Sequence, residues 1–175
     1  MARVEEKNRF GVSYIINPDD HDFLRYPCGT EENSRCPVLI SLEEPDEDLL
    51  ELHLRYARRA LGIFTGRNRV TFVVNDKIVV KLPRNAAGCA DNDWEGSVSN
   101  TSESLNDPFW TQYPRTRLAF FKEIPIVFME KIQPLTTSQI VDLFGQEPDW
   151  VAGVDCGQVG INRFGRLVAY DYGVC

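Results

Sequence analysis

The chain has 175 residues, 43% hydrophobic and 26% charged, a composition that supports one sizeable core and excludes a disordered tail. Nineteen Lys and Arg against 26 Asp and Glu leave a formal charge of −7, which argues against direct nucleic-acid binding or attachment to an anionic membrane. No apolar run reaches the roughly 18 residues that cross a bilayer, and residues 1–10 lack the apolar stretch of a secretory leader, so a cytoplasmic protein with no membrane partner is expected.

Residues 1–42 read as an irregular extension with β-prone pieces at 12–16 and 38–40 and turn-formers at 17–20 and 28–34. A second unit is expected over 43–175, opened by an acidic run and a helix over 46–61. Pro45 suits the first turn, Asp46, Glu47 and Asp48 favour the positive helix end, Arg58 and Arg59 lie near the other end, and Gly62 would stop it. Leu50, Leu54, Ala57 and Leu61 recur at helical spacing and predict the packed stripe. The five cysteines, Cys28, Cys36, Cys89, Cys156 and Cys175, have no pairing rhythm and are expected reduced. Without a Cys-x-x-Cys, and with His21 and His53 lacking metal spacing, they predict no metal site.

Two β-rich runs, 69–74 and 77–82, flank Asn75-Asp76 and predict a hairpin with a two-residue turn. A period of two puts Lys77, Val79 and Lys81 on one face of the second run and Ile78, Val80 and Leu82 on the other. Trp94, Val98, Thr101 and Leu105 keep helical spacing over 91–105, although Gly96 and the Ser/Asn content make propensity poor, so this helix needs tertiary support. Strands are expected at 117–121 and 126–132, a short helix from Thr136 through Phe144, and a closing hairpin over 159–162 and 166–170.

The ordered set GIFTGRNRVTFVVNDKIVVKLPRN (62–85), Trp94-Glu95, IVFMEKIQPL (126–135) and GQVGINRFGRLVAYDYG (157–173) resembles the short protein-kinase-like proteins of bacteriophage genomes. That resemblance implies an α+β fold: an antiparallel sheet with flanking helices, shaped like a kinase small lobe with a hinge and metal loop, and a large lobe nearly absent. It implies that Lys81 meets nucleotide phosphates and is held by Glu95, and that Gly66 belongs to the phosphate-facing turn. Met129, Glu130 and Lys131 would form an adenine-contacting hinge, and Asp171 with Gln158 would hold magnesium. The family's base position is Gly153, with Asp155 the nearest carboxylate, and the substrate platform that follows Asp-aromatic-Gly in the family is expected to be missing.

Taken singly, each residue has a plainer reading: a strand lysine lying on apolar neighbours, a solvated helical glutamate, an Asp-Tyr-Gly turn. The expectation is therefore a pseudokinase-like protein that binds a host or viral protein and takes ATP and magnesium as ligands. The rivals are an active Mg-ATP phosphotransferase using Asp155 as base, and an acidic inhibitor, with the run 43–48 as its best feature, that mimics nucleic acid or blocks a basic site on a host protein.

Overall fold

The computed structural model describes residues 2–18, 37–43, 46–104, 112–154 and 158–170. It is a mixed α+β structure with three α-helices among the described residues. The chain begins with β1 (Val4–Lys7) and β2 (Ser13–Asn17), an antiparallel pair, and β3 (Val38–Ser41), which runs parallel to β2. A parallel neighbour departs from the purely antiparallel expectation. It is allowed because residues 18–37 give the chain the dozen or more residues that a crossover needs.

Helix α1 (Glu47–Ala57) starts where its acidic run says it should, with the Asp46 carboxylate accepting the Leu49 N–H at 2.6 Å. Asp46 is thus the cap rather than a first-turn residue, and Pro45 lies outside the described residues. The helix stops four residues before the predicted end at Leu61. The Asn8 side-chain amide donates to the Ala57 and Ala60 carbonyls, and the Leu61 N–H goes to Val73 in the sheet, so the last turn unwinds into a strand connection. The packed face is correspondingly shifted. Leu49, Leu52, His53 and Ala57 are buried, Leu50 and Leu54 sit at the margin, and Leu61 is 45% exposed.

The principal sheet has the order β4-β5-β6-β8-β7, all antiparallel: β4 (Gly62–Thr65), β5 (Arg69–Val73), β6 (Ile78–Pro83), β7 (Thr116–Phe121) and β8 (Ile124–Glu130). The predicted hairpin is β5–β6, but its turn is longer than two residues. Val74 and Asn75 both donate to the Ile78 carbonyl, and the Asn75 side chain accepts from Lys77 and Ile78, an Asx arrangement replacing the tight turn. One face packs Val70, Phe72, Val80 and Leu82 against α1 and against Tyr14, Ile16, Ile40 and Leu42 of the first sheet. The other gathers Val73, Val79, Val127 and Met129 around Ile132 and Val168. With both faces covered, β6 reads as an almost continuous apolar run, and Lys81 is its one charged residue.

Helix α2 (Ala86–Ser104) lies on that second face. Its inner side is Asn92, Glu95 and Gly96, whereas Trp94, expected to anchor the apolar stripe, is 49% exposed. The two glycines explain how so poor a helix former docks. A Cβ at Gly96 would stand 2.7 Å from Leu118 Cβ on β7, and one at Gly88 would stand 2.1 Å from the Asn68 carbonyl. Close backbone approach replaces side-chain packing.

After β8 the chain forms β9 (Gln133–Pro134), α3 (Thr137–Phe144), a 3-10 helix (Asp149–Gly153), β10 (Val159–Ile161) and β11 (Leu167–Ala169), the last hairpin pairing with β9. Thr136 and Gln139 cap α3 reciprocally, and Gly145 closes it in the left-handed conformation. No described helix is long and apolar enough to cross a membrane.

His53 carries a pH prediction. It is fully buried beneath Phe72, and its Nδ1 must donate to the Leu49 carbonyl at 2.9 Å, which leaves Nε2 buried without a partner. Burial, helped by the nearby Arg84 cation, pushes its pKa down to about 4. The unfolded chain therefore binds the proton first as pH falls from about 6.5, and stability drops across the window down to about 4, by about 2 kcal/mol at pH 5. Urea unfolding of His53→Leu should lose that part of the slope. A slope equal to the native one would remove His53 as its source.

Candidate functional site

Lys81 lies in the middle of β6, 4% exposed, on the face it shares with Val79 as the alternation predicts. Its ammonium donates to both carboxylate oxygens of Glu95, at 2.9 and 3.0 Å, fourteen residues later on α2. Glu95 is fully buried. A third hydrogen bond from Lys81, 2.7 Å, goes to the backbone carbonyl of Tyr170 at the end of the last hairpin, 89 residues away. Strand, helix and terminal hairpin thus converge on one ammonium group.

Two further residues belong to this cluster and were not anticipated from the sequence. Arg69, the first residue of β5, donates through Nη1 to Glu95 Oε2 at 2.5 Å and lies 4.0 Å from Asp91 through Nε. Asn92 donates to the carbonyls of Lys81 and Pro125, tying α2 to β6 and to the entry of β8. The available signal was indirect. A cation heading an otherwise apolar strand, and a helix whose polar positions 92 and 95 share a face, both point to a buried polar contact.

Gln158, expected as a metal ligand, is paired across the hairpin with Tyr170 through its backbone carbonyl at 3.0 Å. It therefore faces the residue that immediately precedes Asp171. Asp171 itself, and Asp155, lie outside the described residues, as do Cys28, Cys36, Cys156 and Cys175. Cys89 is a free thiol whose pKa burial raises. Among the described residues no group of three or more His, Cys, Asp or Glu could hold a metal ion.

The expected hinge residues are engaged with the protein itself. Met129 is buried among Val73, Val79 and Val168. The Glu130 N–H donates to the Arg115 carbonyl and that of Lys131 to Lys77. Glu130 Oε1 accepts from the Arg115 N–H and from Asn162 on the terminal hairpin, and its Oε2 is buried without a partner. The turn at Gly66 is likewise internally held. Its N–H donates to the Arg69 carbonyl, and its own carbonyl accepts from the buried Arg84. Gly153 sits in the 3-10 helix with open space where a side chain would project.

The acidic run 43–48 has structural work. Asp46 caps α1, Glu47 and Asp48 occupy its first turn, and Asp48 also pairs with Lys122. No protein-family model matches the chain, and no curated protein is significantly similar to it.

Proposed function

We propose that this chain is a degenerate protein-kinase-like protein, phage-encoded by its resemblance, that acts mainly by binding a host or viral protein and keeps a nucleotide-phosphate seat at Lys81. One observation carries the reading: the Lys81 ammonium joins the Glu95 carboxylate to the residue before Asp171. Lys81 and Glu95 are two of the positions that the resemblance sets in order along the chain, Tyr170 adjoins the third, and an unrelated strand lysine has no reason to bridge them. The sheet running through β8 into Glu130 and Lys131, with α2 on one face, follows the same order.

The chemistry required of the site is modest. A triphosphate brings several negative charges, to which a lysine of fixed direction responds, and magnesium would arrive with those phosphates and be held by Asp171 and Gln158. Binding without transfer is favoured by Gly153, which stands five residues before Gln158 where the family's base belongs and has no group to accept a proton. The rival phosphotransferase would have to use Asp155 instead.

Thermal unfolding with and without Mg-ATP tests the reading. Ligand at 100 times its dissociation constant adds about 2.7 kcal/mol, a rise of several degrees for a chain of this size. Lys81→Ala and Asp171→Ala should each abolish the shift. Transfer of labelled γ-phosphate to any added protein would convert the reading to the phosphotransferase, and no shift at millimolar nucleotide would end both.

A further inference from the structure

A buried carboxylate that serves two cations raises a question that a single ion pair does not. Glu95 is wholly enclosed, and Lys81 and Arg69 reach it from neighbouring strands with side chains only 5% and 8% exposed. Lys81 spans both carboxylate oxygens and also reaches the Tyr170 carbonyl, whereas Arg69 holds Oε2 and, through the same nitrogen, touches Asn92 Oδ1 at 3.5 Å. Asp91, one helical turn before Glu95, lies 4.0 Å from the Arg69 Nε and accepts from Asn68. The guanidinium is therefore directed at α2, and the ammonium is shared between α2 and the terminal hairpin.

We propose that Arg69 is a positioning residue that keeps Glu95, and with it helix α2, in place while Lys81 hands hydrogen bonds over to an anionic phosphate ligand. The phosphate ligand rests on the function proposed above; the grip of Arg69 on Glu95 does not. The physical reason is the penalty on an orphaned charge. A buried carboxylate with one cationic partner cannot release it without a severe loss, because the remaining charge is left in a low-dielectric site. With a second partner already seated, one cation can leave. A guanidinium suits the permanent role, since it stays protonated and its planar fork keeps several donors fixed at once, and an ammonium on a flexible stem suits the transferable one. Asn92 assists by holding the helix backbone to Lys81 and Pro125 through neutral hydrogen bonds that do not change when the ammonium turns.

The test is a double-mutant cycle on the full chain without nucleotide, using Arg69→Met, Lys81→Met and the double variant, read as unfolding equilibrium constants in urea. Each single variant leaves Glu95 one cation, and the double variant leaves none. The combined change should exceed the product of the single changes by at least about tenfold, within the coupling range of contacting residues. An excess below tenfold overturns the proposal.

Replacing the acid by its amide supplies a readout that loss of packing does not imitate. Glu95→Gln added to the double variant removes the orphaned charge and keeps the shape, and should recover at least about tenfold in the unfolding equilibrium constant. Should Arg69→Met fail to fold, Lys81→Met alone decides: Arg69 still holds Glu95 there, so adding Glu95→Gln should recover nothing, and a recovery of about tenfold overturns the proposal.

Mg-ATP then separates the two levels. If wild type shows no thermal shift, the nucleotide reading fails, while the cycle still reports on Arg69. If wild type shifts and Arg69→Met shifts equally, the handover is overturned and the nucleotide reading stands. Loss of at least about half the shift in Arg69→Met, with the far-UV spectrum unchanged, is the expected result, and any smaller loss counts against it.

Discussion

Glu95→Ala is expected to destabilise the fold by about 3–5 kcal/mol, more than either cation's replacement, because it removes the buried carboxylate on which both cations end. The expectation follows from the geometry of the cluster. Lys81 and Arg69 both end on the Glu95 carboxylate, and that carboxylate is an inner contact of a helix that also docks through Asp91, Asn92 and two glycines. Urea unfolding measures the loss directly. Glu95→Gln preserves shape and one acceptor but no charge, and should recover less than half of it. A loss below about 1 kcal/mol for the alanine variant would mean that the helix does not depend on the pair.

Arg84→Met should be comparably severe, at about 3–5 kcal/mol. Arg84 follows β6, is fully buried, and donates from Nε to the Ser41 carbonyl at 2.6 Å, from Nη2 to the Ser41 hydroxyl, and from Nη1 to the carbonyls of Gly66 and Arg67. One guanidinium thereby joins the first sheet to the turn between β4 and β5. Its removal strands several acceptors away from water, each of which costs about 1–3 kcal/mol when left unmade. Arg84→Lys keeps the charge but not the fork, and three donors on one nitrogen are too few and too closely grouped for four acceptors that the guanidinium meets with three separate nitrogens. It is therefore expected to recover less than half of the stability. Chemical denaturation of both variants checks this, and full recovery by lysine would show that charge, rather than the planar fork, is what matters.

The strand and hairpin pattern was legible where local alternation is strong. The pieces at 12–16, 38–40, 117–121, 126–132 and 159–170 all overlap observed strands, and α3 begins at its Thr136 cap. The turn between β5 and β6 was misread for a local reason, the Asn75 side chain, whereas the helix misreadings originate in contacts made across the chain. The early end of α1 is set by Asn8, about fifty residues upstream, and the inner face of α2 is chosen by Lys81 and Arg69 rather than by Trp94. Short β1 and β9 carry too few residues for a periodic signal, and each is held by a partner strand.

The same division runs through the candidate site. Sequence alone was enough to place Lys81 on one face of a strand and to give the chain an acidic helix start, because alternation, capping and charge are local properties, whereas the pairing of Lys81 with Glu95 came from the resemblance of an ordered motif set. Only the tertiary structure decided that Arg69 shares Glu95, that the Tyr170 carbonyl meets Lys81, and that Arg84 braces the glycine turn. Those contacts pair residues distant in the chain, and whether a charged side chain is solvated or enclosed depends on what packs over it, which no local pattern encodes.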